Sequence, residues 1–588
     1  MIMPERPDIV VIVTDQERAP TPYETDEIAA WRTTHLPERG WFAENGTTLL
    51  HHYTGATACV PSRPTLFTGQ YPDVHGLTQT DGLGKDADDS RMRWLVPGEV
   101  PTLGNWFRAG GYDTHYDGKW HISHADLIDP ETRTPVATNT RTGEIIPDAV
   151  QAYLDADPLD DYGFSGWVGP EPHGSGLANS GLIRDPLIAD RLVAWLDDRY
   201  ARRRAGDVEA LRPFLAVCCF VNPHDIVLWP GFVSNENPFG PSPSDPPPIP
   251  EPPTAHEDLS TKPAAQAAYR AAYASGYGPP AVITACYDDH AEAYRRTYYR
   301  CHAENDDPIG RVRRAVTAGS ADAVIVRTAD HGELLGAHGG LHQKWFNLYD
   351  ECTRVPFQIV RVRDGRPVGD PGTEIDAVAT SHVDVLPTLL GFAGIDAAVA
   401  AAELTATHSE VHLLPGHDLR DIVAGGSDAR AERTVYLMSR DNILEGDTGL
   451  SAVARINGMT EAPDDFRIMV PADVGSSFEA IVTTLDGTLW KLARNHDDPA
   501  TWTDPGRRHL ASTGADGHRH RTEPIADQWE LYDLSGDPVE ADNRWDDPEV
   551  ATTQAELVSR LDAERARCNP ARNTPWPYAS RRGADEVA

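Results

Sequence analysis

The chain predicts an α/β sandwich, a mostly parallel sheet covered on both faces by helices, and three apolar runs are what predict it. Asp8-Ile-Val-Val-Ile-Val13 leads into Thr14-Asp15-Gln16, and Phe214-Leu-Ala-Val-Cys-Cys-Phe-Val221 leads into Asn222-Pro223-His224-Asp225. The third run, Ala323-Val-Ile-Val326, leads into Arg327-Thr328-Ala329-Asp330-His331-Gly332. Near-continuous apolar, β-branched strands read as buried on both faces, the mark of a parallel sheet between helical layers. Helical periodicity lies between them, over Pro186 to Tyr200 and Ala291 to Ala318, and this alternation is what a doubly wound sheet requires. Ligands of such sheets bind beyond the carboxyl ends of the strands. The three polar clusters sit at those ends.

The remaining elements follow in order. Pro230 to Pro253, with Pro246-Pro-Pro248 and Pro250, reads as an extended surface excursion of lid type and not as a domain linker. Near residue 425 the pattern changes to short alternating runs. An Asp486-Gly487 hairpin signal stands between Ile481-Val-Thr and Leu489-Trp-Lys-Leu, and a closing helix runs from about Ala551 to Ala566. The division expected is 1–425 as a large α/β domain and 426–588 as a smaller α+β domain.

Composition narrows the function. Of 588 residues, 52 are basic and 90 acidic, a formal net charge of −38, which excludes nucleic acid and anionic membrane surfaces as expected partners. No apolar stretch approaches the ~20 residues that span a bilayer. The first residues, Met1 to Gln16, run directly into a strand pattern with no basic region and no cleavage site. The seven cysteines are odd in number and Cys218 adjoins Cys219 in an apolar run, so a disulfide framework is not expected and a cytoplasmic location is. Only five lysines occur, Lys85, Lys119, Lys262, Lys344 and Lys491, which makes the place of each one informative.

Asp15 with Gln16, and Asp330 with His331, bring two carboxylates, an amide oxygen and an imidazole to one sheet edge, a donor set suited to a divalent cation. A single strand-end Asp is more often a helix or turn cap; two clusters on one edge favour the metal. In Ala58-Cys59-Val-Pro61-Ser62-Arg63-Pro64, a thiol stands at a helix start four residues before a guanidinium. Both features favour anion binding and a reactive sulfur, where the bland alternative is a buried structural Cys.

Cys59-x-Pro61-Ser62-Arg63, followed by Leu66-Phe-Thr-Gly69 and Val74-His75-Gly76, closely resembles the signature of the type I sulfatases. Gly111-Tyr-Asp-Thr114 with Gly118-Lys119-Trp120-His121 resembles the second signature of that family, and Phe220-Val-Asn-Pro-His224 its mid-chain segment. Asp330-His331-Gly332-Glu-Leu-Leu-Gly336, then Lys344 through Arg354-Val-Pro356, resembles its late metal and lysine segment. Glu530 to Asp537 and Glu540 resemble its C-terminal strand-turn, so the resemblance covers residues 7 to about 545. It implies an alkaline-phosphatase-like fold with a large mixed, mostly parallel sheet. It also implies hydrolysis of a small-molecule sulfate ester to alcohol and sulfate.

In this family the Cys is oxidised to Cα-formylglycine by a separate formylglycine-generating enzyme, so the resemblance implies that enzyme as a partner and formylglycine at Cys59. A serine that attacked sulfur would be left sulfated, whereas an aldehyde hydrate carries a second hydroxyl whose deprotonation expels sulfate. The implied metal set is Asp15, Gln16, Asp330, His331 and the residue at Cys59, for one divalent ion, Ca²⁺ first with Mn²⁺ or Mg²⁺ as alternatives. Arg63, Lys119 and Lys344 are implied to surround the sulfuryl group, and His121 and His224 to carry protons. Many arylsulfatases have a second Asp where Gln16 stands and Asn where His331 stands. The Asp-Gln and Asp-His pairing resembles instead the choline-sulfatase branch and the phosphonate monoester hydrolases; the latter lack a Gly-Lys-Trp-His segment, whereas this chain keeps Lys119 and His121, which favours a sulfatase with phosphonate or phosphodiester hydrolysis as the alternative. A non-catalytic oxyanion-binding homologue is a third reading, and the alcohol half of the substrate and a homo-oligomeric assembly stay open.

Overall fold

A computed structural model describes residues 6–574 except 90–91, 173–175, 235–236, 426–432, 442–449, 460–462, 464–465, 467, 469–473, 476, 500–501, 503–508 and 513–518. Its main sheet is built from β1 (Asp8–Asp15), β2 (Thr47–Tyr53), β3 (Asp113–Gly118), β4 (Phe214–Pro223), β5 (Asp322–Ala329), β6 (Phe357–Arg363), β7 (Arg366–Val368) and β8 (Thr373–Ser381). The strand order is β3-β4-β1-β5-β6-β2-β8, with β7 paired to β6. β1 is central and parallel to both β4 and β5, β3 is parallel to β4, and β6 runs against both β5 and β2. The sheet is therefore mixed and mostly parallel.

Every residue of β1 and β4 is buried, and the alternation of side chains divides them between two cores. Val10, Ile12, Phe214, Ala216 and Cys218 face helices Gly181–Arg204 and Ala291–Gly319 through Ile188, Leu192, Ile309 and Val312. Ile9, Val11, Val13, Leu215 and Val217 face the opposite layer, where Leu66 and Phe67 of helix Cys59–Thr68 and Leu386 of helix Val385–Ala393 pack. The helix expected from Pro186 begins five residues earlier, at Gly181. The Asp225 carboxylate accepts from the backbone N–H groups of Gly181 at 2.8 Å and Leu182 at 3.0 Å, a cap supplied from the end of β4 that no local pattern displays.

A second sheet is antiparallel, in the order β14-β11-β10-β9, from β9 (Thr434–Ser439), β10 (Ser477–Leu485), β11 (Thr488–His496) and β14 (Gln528–Asp533); β12 (His509–Ser512) and β13 (Arg519–Arg521) form a separate pair. Leu485 pairs with Thr488 across Asp486 and Gly487, whose φ values of 52° and 81° suit the tight turn that the Asp-Gly signal predicts. Helix Ala551–Cys568 covers this sheet through Leu557 and Leu561, against Ile481, Leu492 and Leu531. The division expected at 425 abuts 426–432, outside the described residues.

All five lysines are buried. Two of them tie the second sheet to segments outside it: Lys491 pairs with Asp350 at 2.6 Å and Glu540 at 2.7 Å, and Lys262 donates to the Tyr532 hydroxyl at 2.8 Å. Lys85 pairs with Asp441 at 3.4 Å. The remaining two, Lys119 and Lys344, belong to the site below. The seven cysteines are all buried and unpaired. Among the described residues no single helix is long and apolar enough to cross a membrane.

Candidate active site

The polar ends of β1 and β5 meet because the two strands are paired in register, Thr14 opposite Ala329. Asp15 ends β1, and Gln16 turns out of the strand with φ +67°, a conformation uncommon outside glycine. That turn aims its backbone N–H at Asp330 Oδ1, 3.0 Å away. The Gln16 side chain is fixed at both ends. Its Nε2 donates to Glu333 Oε2 at 2.5 Å, and its Oε1 accepts from Lys344 Nζ at 2.7 Å.

Cys59 is the first residue of its helix and is 1% exposed. Its Sγ lies 3.0 Å from His331 Nε2, 3.3 Å from Lys344 Nζ, 3.9 Å from Asp15 Oδ1 and 4.0 Å from Lys119 Nζ. Burial and the Asp15 charge push the thiol up, but Lys119, Lys344 and His331 outweigh them and hold it well below the ordinary thiol range. His331 Nδ1 is 2.9 Å from the Gly332 carbonyl, which can only accept, so Nδ1 carries a proton and Nε2 is the nitrogen that faces the site; burial opposes the ring's charge, but Asp330 and Cys59 raise its pKa above the ordinary histidine value.

Lys119 reaches the cluster because Gly118, at φ +98°, brings the end of β3 so close to β4 that a Cβ would fall 1.9 Å from the Cys219 carbonyl oxygen. Its Nζ pairs with Asp15 Oδ2 at 2.5 Å. Burial opposes the ammonium, but Asp15 and Cys59 raise its pKa above the ordinary lysine value. For Asp15 the balance is the mirror image: burial raises its carboxyl, while Lys119, His224, His331 and Lys344 hold it well below the usual range.

Arg63 is fully buried and joins the cluster by supporting it. Its Nε donates to the Trp120 carbonyl at 2.8 Å and Nη1 to Asp330 Oδ2 at 3.2 Å, while Nη2 donates to the Tyr116 hydroxyl at 3.1 Å and to the Lys119 carbonyl. The guanidinium thus ties β3 to β5 and leaves the two lysines as the cations nearest the thiol. His224, at the end of β4, lines a cavity of about 1040 Å³ together with Cys59 and Lys344. Burial and Lys119 lower its pKa. His121 lines an adjoining cavity of about 790 Å³. Burial opposes its charge, but Asp81, 2.8 Å from Nε2, raises it to about 9. The two histidines therefore deviate in opposite directions.

One ligand atom from each of Asp15, Cys59, Asp330 and His331 lies within 4.8 Å of all the others. Asp15 Oδ2 is buried without a hydrogen bond, its partner being the Lys119 ion pair. Two carboxylates, an imidazole whose Nε2 faces them, and the Gln16 amide oxygen are donor types that fit a divalent cation.

Sequence reasoning did not single out the residues that orient these groups. Glu333 Oε1 accepts from the N–H groups of Leu335 at 3.0 Å and Gln343 at 2.7 Å and from the Tyr294 hydroxyl at 2.9 Å, which fixes the carboxylate that holds Gln16. Its place two residues after His331 was the available signal. Asp81, forty residues from its partner His121, carried none. The 1040 Å³ cavity is lined further by Leu177 and Ser180, and by Phe232 and Pro238 from the Pro-rich excursion.

The chain matches the sulfatase family model over residues 7–395. It is 28% identical over 363 residues to the uncharacterized sulfatase YidJ of Escherichia coli (strain K12), covering 58% of this chain and 60% of that protein. It is 24% identical over 373 residues to the choline-sulfatase of Rhizobium meliloti (strain 1021), covering 61% and 63%. These alignments span less than two thirds of the relatives' own lengths. In fold it is similar to a 2-O GAG sulfatase, with a TM-score of 0.59 at 18% identity over 96% of this chain and 93% of that one. It is also similar to the phosphonate monoester hydrolase of Agrobacterium radiobacter, with a TM-score of 0.55 at 19% identity over 96% of each chain. With two thirds of its length under the family model and the family's fold around Cys59, the chain belongs to the sulfatase family.

Proposed function

We propose that this protein hydrolyses an organic sulfate monoester to an alcohol and sulfate, with position 59 as the nucleophile. The observation that carries the reading is the setting of Cys59: it opens on a large cavity, with Lys344 at 3.3 Å and Lys119 at 4.0 Å and with the Asp15, Asp330 and His331 donors around it. Oxidised to formylglycine, position 59 supplies an aldehyde hydrate, and a divalent cation held by Asp15, Gln16, Asp330 and His331 supplies Lewis acidity.

The rest is the work of this chain's residues. Lys119 and Lys344 receive the charge that accumulates on the sulfuryl oxygens. Arg63 holds Asp330 and the backbone at Lys119 and Trp120 in place, acting as a positioning residue. His121, protonated through its pair with Asp81, and His224, kept neutral by burial and Lys119, supply one proton donor and one acceptor beside the nucleophile. Because Cys59 is buried, the formylglycine-generating enzyme acts before this helix packs. Cytoplasmic residence fits the seven unpaired thiols.

The test is mass spectrometry of the Cys59 peptide, from protein made with and without a formylglycine-generating enzyme, paired with turnover of matched sulfate, phosphate-diester and phosphonate esters. The expected result is an aldehyde at position 59 that tracks with multiple turnover of sulfate esters. Full turnover by unconverted protein overturns the formylglycine mechanism. A clear preference for the phosphonate makes the chain a phosphonate hydrolase, and tight sulfate binding without turnover makes it an oxyanion-binding homologue.

A further inference from the structure

The cavity above Cys59 has a chemical character of its own. Leu83, Leu228, Phe232, Ile283, Trp345 and Val453 line it, so its walls are aliphatic and aromatic while its floor is cationic. The carboxylates that line it are committed. Asp81 pairs with His121 at 2.8 Å, Asp86 pairs with Arg455, and Asp225 accepts from Gly181 and Leu182. A quaternary ammonium would thus enter a pocket with Lys344 at its base and with its acids already engaged. Thr80, Arg141, Ser180 and Gln343 also line the space, but a poly-hydroxylated sugar would set hydroxyls against the apolar side chains, which return no hydrogen bond. At about 1040 Å³ the space exceeds what a sulfate group fills.

We infer that the alcohol half of the substrate is uncharged and apolar, an alkyl or extended hydrocarbon group seated against Leu228, Phe232, Ile283 and Val453, and that these residues determine specificity. The inference rests on the sulfate-ester reading above and supplies its substrate class. Apolar burial is cumulative, so affinity grows with each methylene the cavity takes from water, by about fourfold when that methylene is fully buried.

The experiment is a series of linear alkyl sulfates from butyl to octyl below micellar concentration, with choline sulfate and mono- and disulfated glucosamine as comparators. Two quantities are measured: kcat/KM with formylglycine-containing protein, and calorimetric affinity with Cys59→Ala. Both are expected to rise by up to about fourfold per methylene. Phe232→Ala and, separately, the rim substitution Val453→Asp should flatten the rise while inhibition by inorganic sulfate stays as it was. A flat series in both measurements overturns the inference, as does preference for choline sulfate. So does preference for the disulfated sugar, with loss of that preference in Arg141→Ala, since Arg141 stands at the mouth of the cavity. The two readings fail separately: octyl sulfate bound with the full increments but never hydrolysed sinks the sulfatase reading alone, whereas hydrolysis of every ester at one rate sinks the apolar pocket alone.

Discussion

Two buried clusters in this protein contain nearly the same residue types, and only one of them has the makings of an active site. Asp15, Cys59, Asp330 and His331 form the first; His338, Glu351 and Glu540 form the second, and both are compact enough to surround one ion. Each has lysine beside it. In the second cluster the charged groups face one another and no nucleophile stands among them: His338 lies 3.3 Å from Glu351 and 3.4 Å from Glu257, and Lys491 binds Asp350 and Glu540. The Tyr349 ring stacks on His338 with centroids 3.5 Å apart, which closes the cluster between the two sheets. In the first, Lys344 points at a thiol and a cavity opens above. Donor composition alone does not separate a site from a seam; access and a nucleophile among the donors do.

The comparison is broken most sharply at Cys59. Cys59→Ala removes the nucleophile and should abolish sulfate-ester turnover, and Cys59→Ser should be nearly as damaging in steady state, since a serine lacks the second hydroxyl that expels sulfate. Stopped assays read to the first turnover distinguish the two, with at most one equivalent of alcohol released by the Ser variant. Sustained turnover by that variant would remove the reason for formylglycine. Next in size is Lys119→Ala, expected to lower kcat by about 10²–10³, the cost of one donor aimed at developing charge. A loss confined to KM would mean that Lys119 binds sulfate without preferring the transition state.

Which parts of this were legible in the sequence follows from the range of the interactions involved. β1, β4 and β5 were readable because burial on both faces leaves an unbroken apolar run. The Asp486-Gly487 turn was readable because positive φ at both positions limits the residue types tolerated. Cys59, Lys119, Asp330 and Lys344 were found through their motifs, and the scarcity of lysine gave Lys119 and Lys344 added weight. What was not legible joins distant segments: the Asp225 cap on Gly181, the Glu333 hold on Gln16, and Asp81 on His121. Arg63 shows the limit of motif reading, since the motif brings it to the cluster but does not tell that its donors are turned onto the scaffold. Tertiary partners of this kind leave no periodic trace.

A pH profile sharpens the comparison at intermediate size. Asp81 stabilises the protonated form of His121 and sets its pKa at about 9. If that imidazolium delivers a proton, the alkaline limb of kcat/KM lies near pH 9. Asp81→Asn removes the stabilising charge, so the limb should move down toward the ordinary histidine value, by about two units. At pH 8 the variant is then about tenfold slower, and near pH 6 it approaches the parent. An alkaline limb that does not move would assign that ionisation to another group.

The smallest effect on turnover belongs to the closed cluster. Burial opposes the charge on His338, but Glu351 and Glu257 raise its pKa to about 9. In the unfolded chain it returns to about 6.5. A raised pKa means that the folded state binds the proton more tightly, so the stabilisation is complete below about pH 6.5 and drains away as pH climbs through 9. His338→Gln should therefore destabilise the protein at pH 6 by about 3 kcal/mol, since it leaves buried carboxylates without their counter-charge. The gap to the parent should narrow by pH 10, where the parent has lost the same charge. Urea unfolding at the two pH values measures both quantities, and kcat per folded molecule should be unchanged throughout. A pH-independent gap would reduce His338 to its stacking on Tyr349. A fall in kcat with folding intact would mean that the second cluster communicates with the first, and the contrast between site and seam would have to be redrawn.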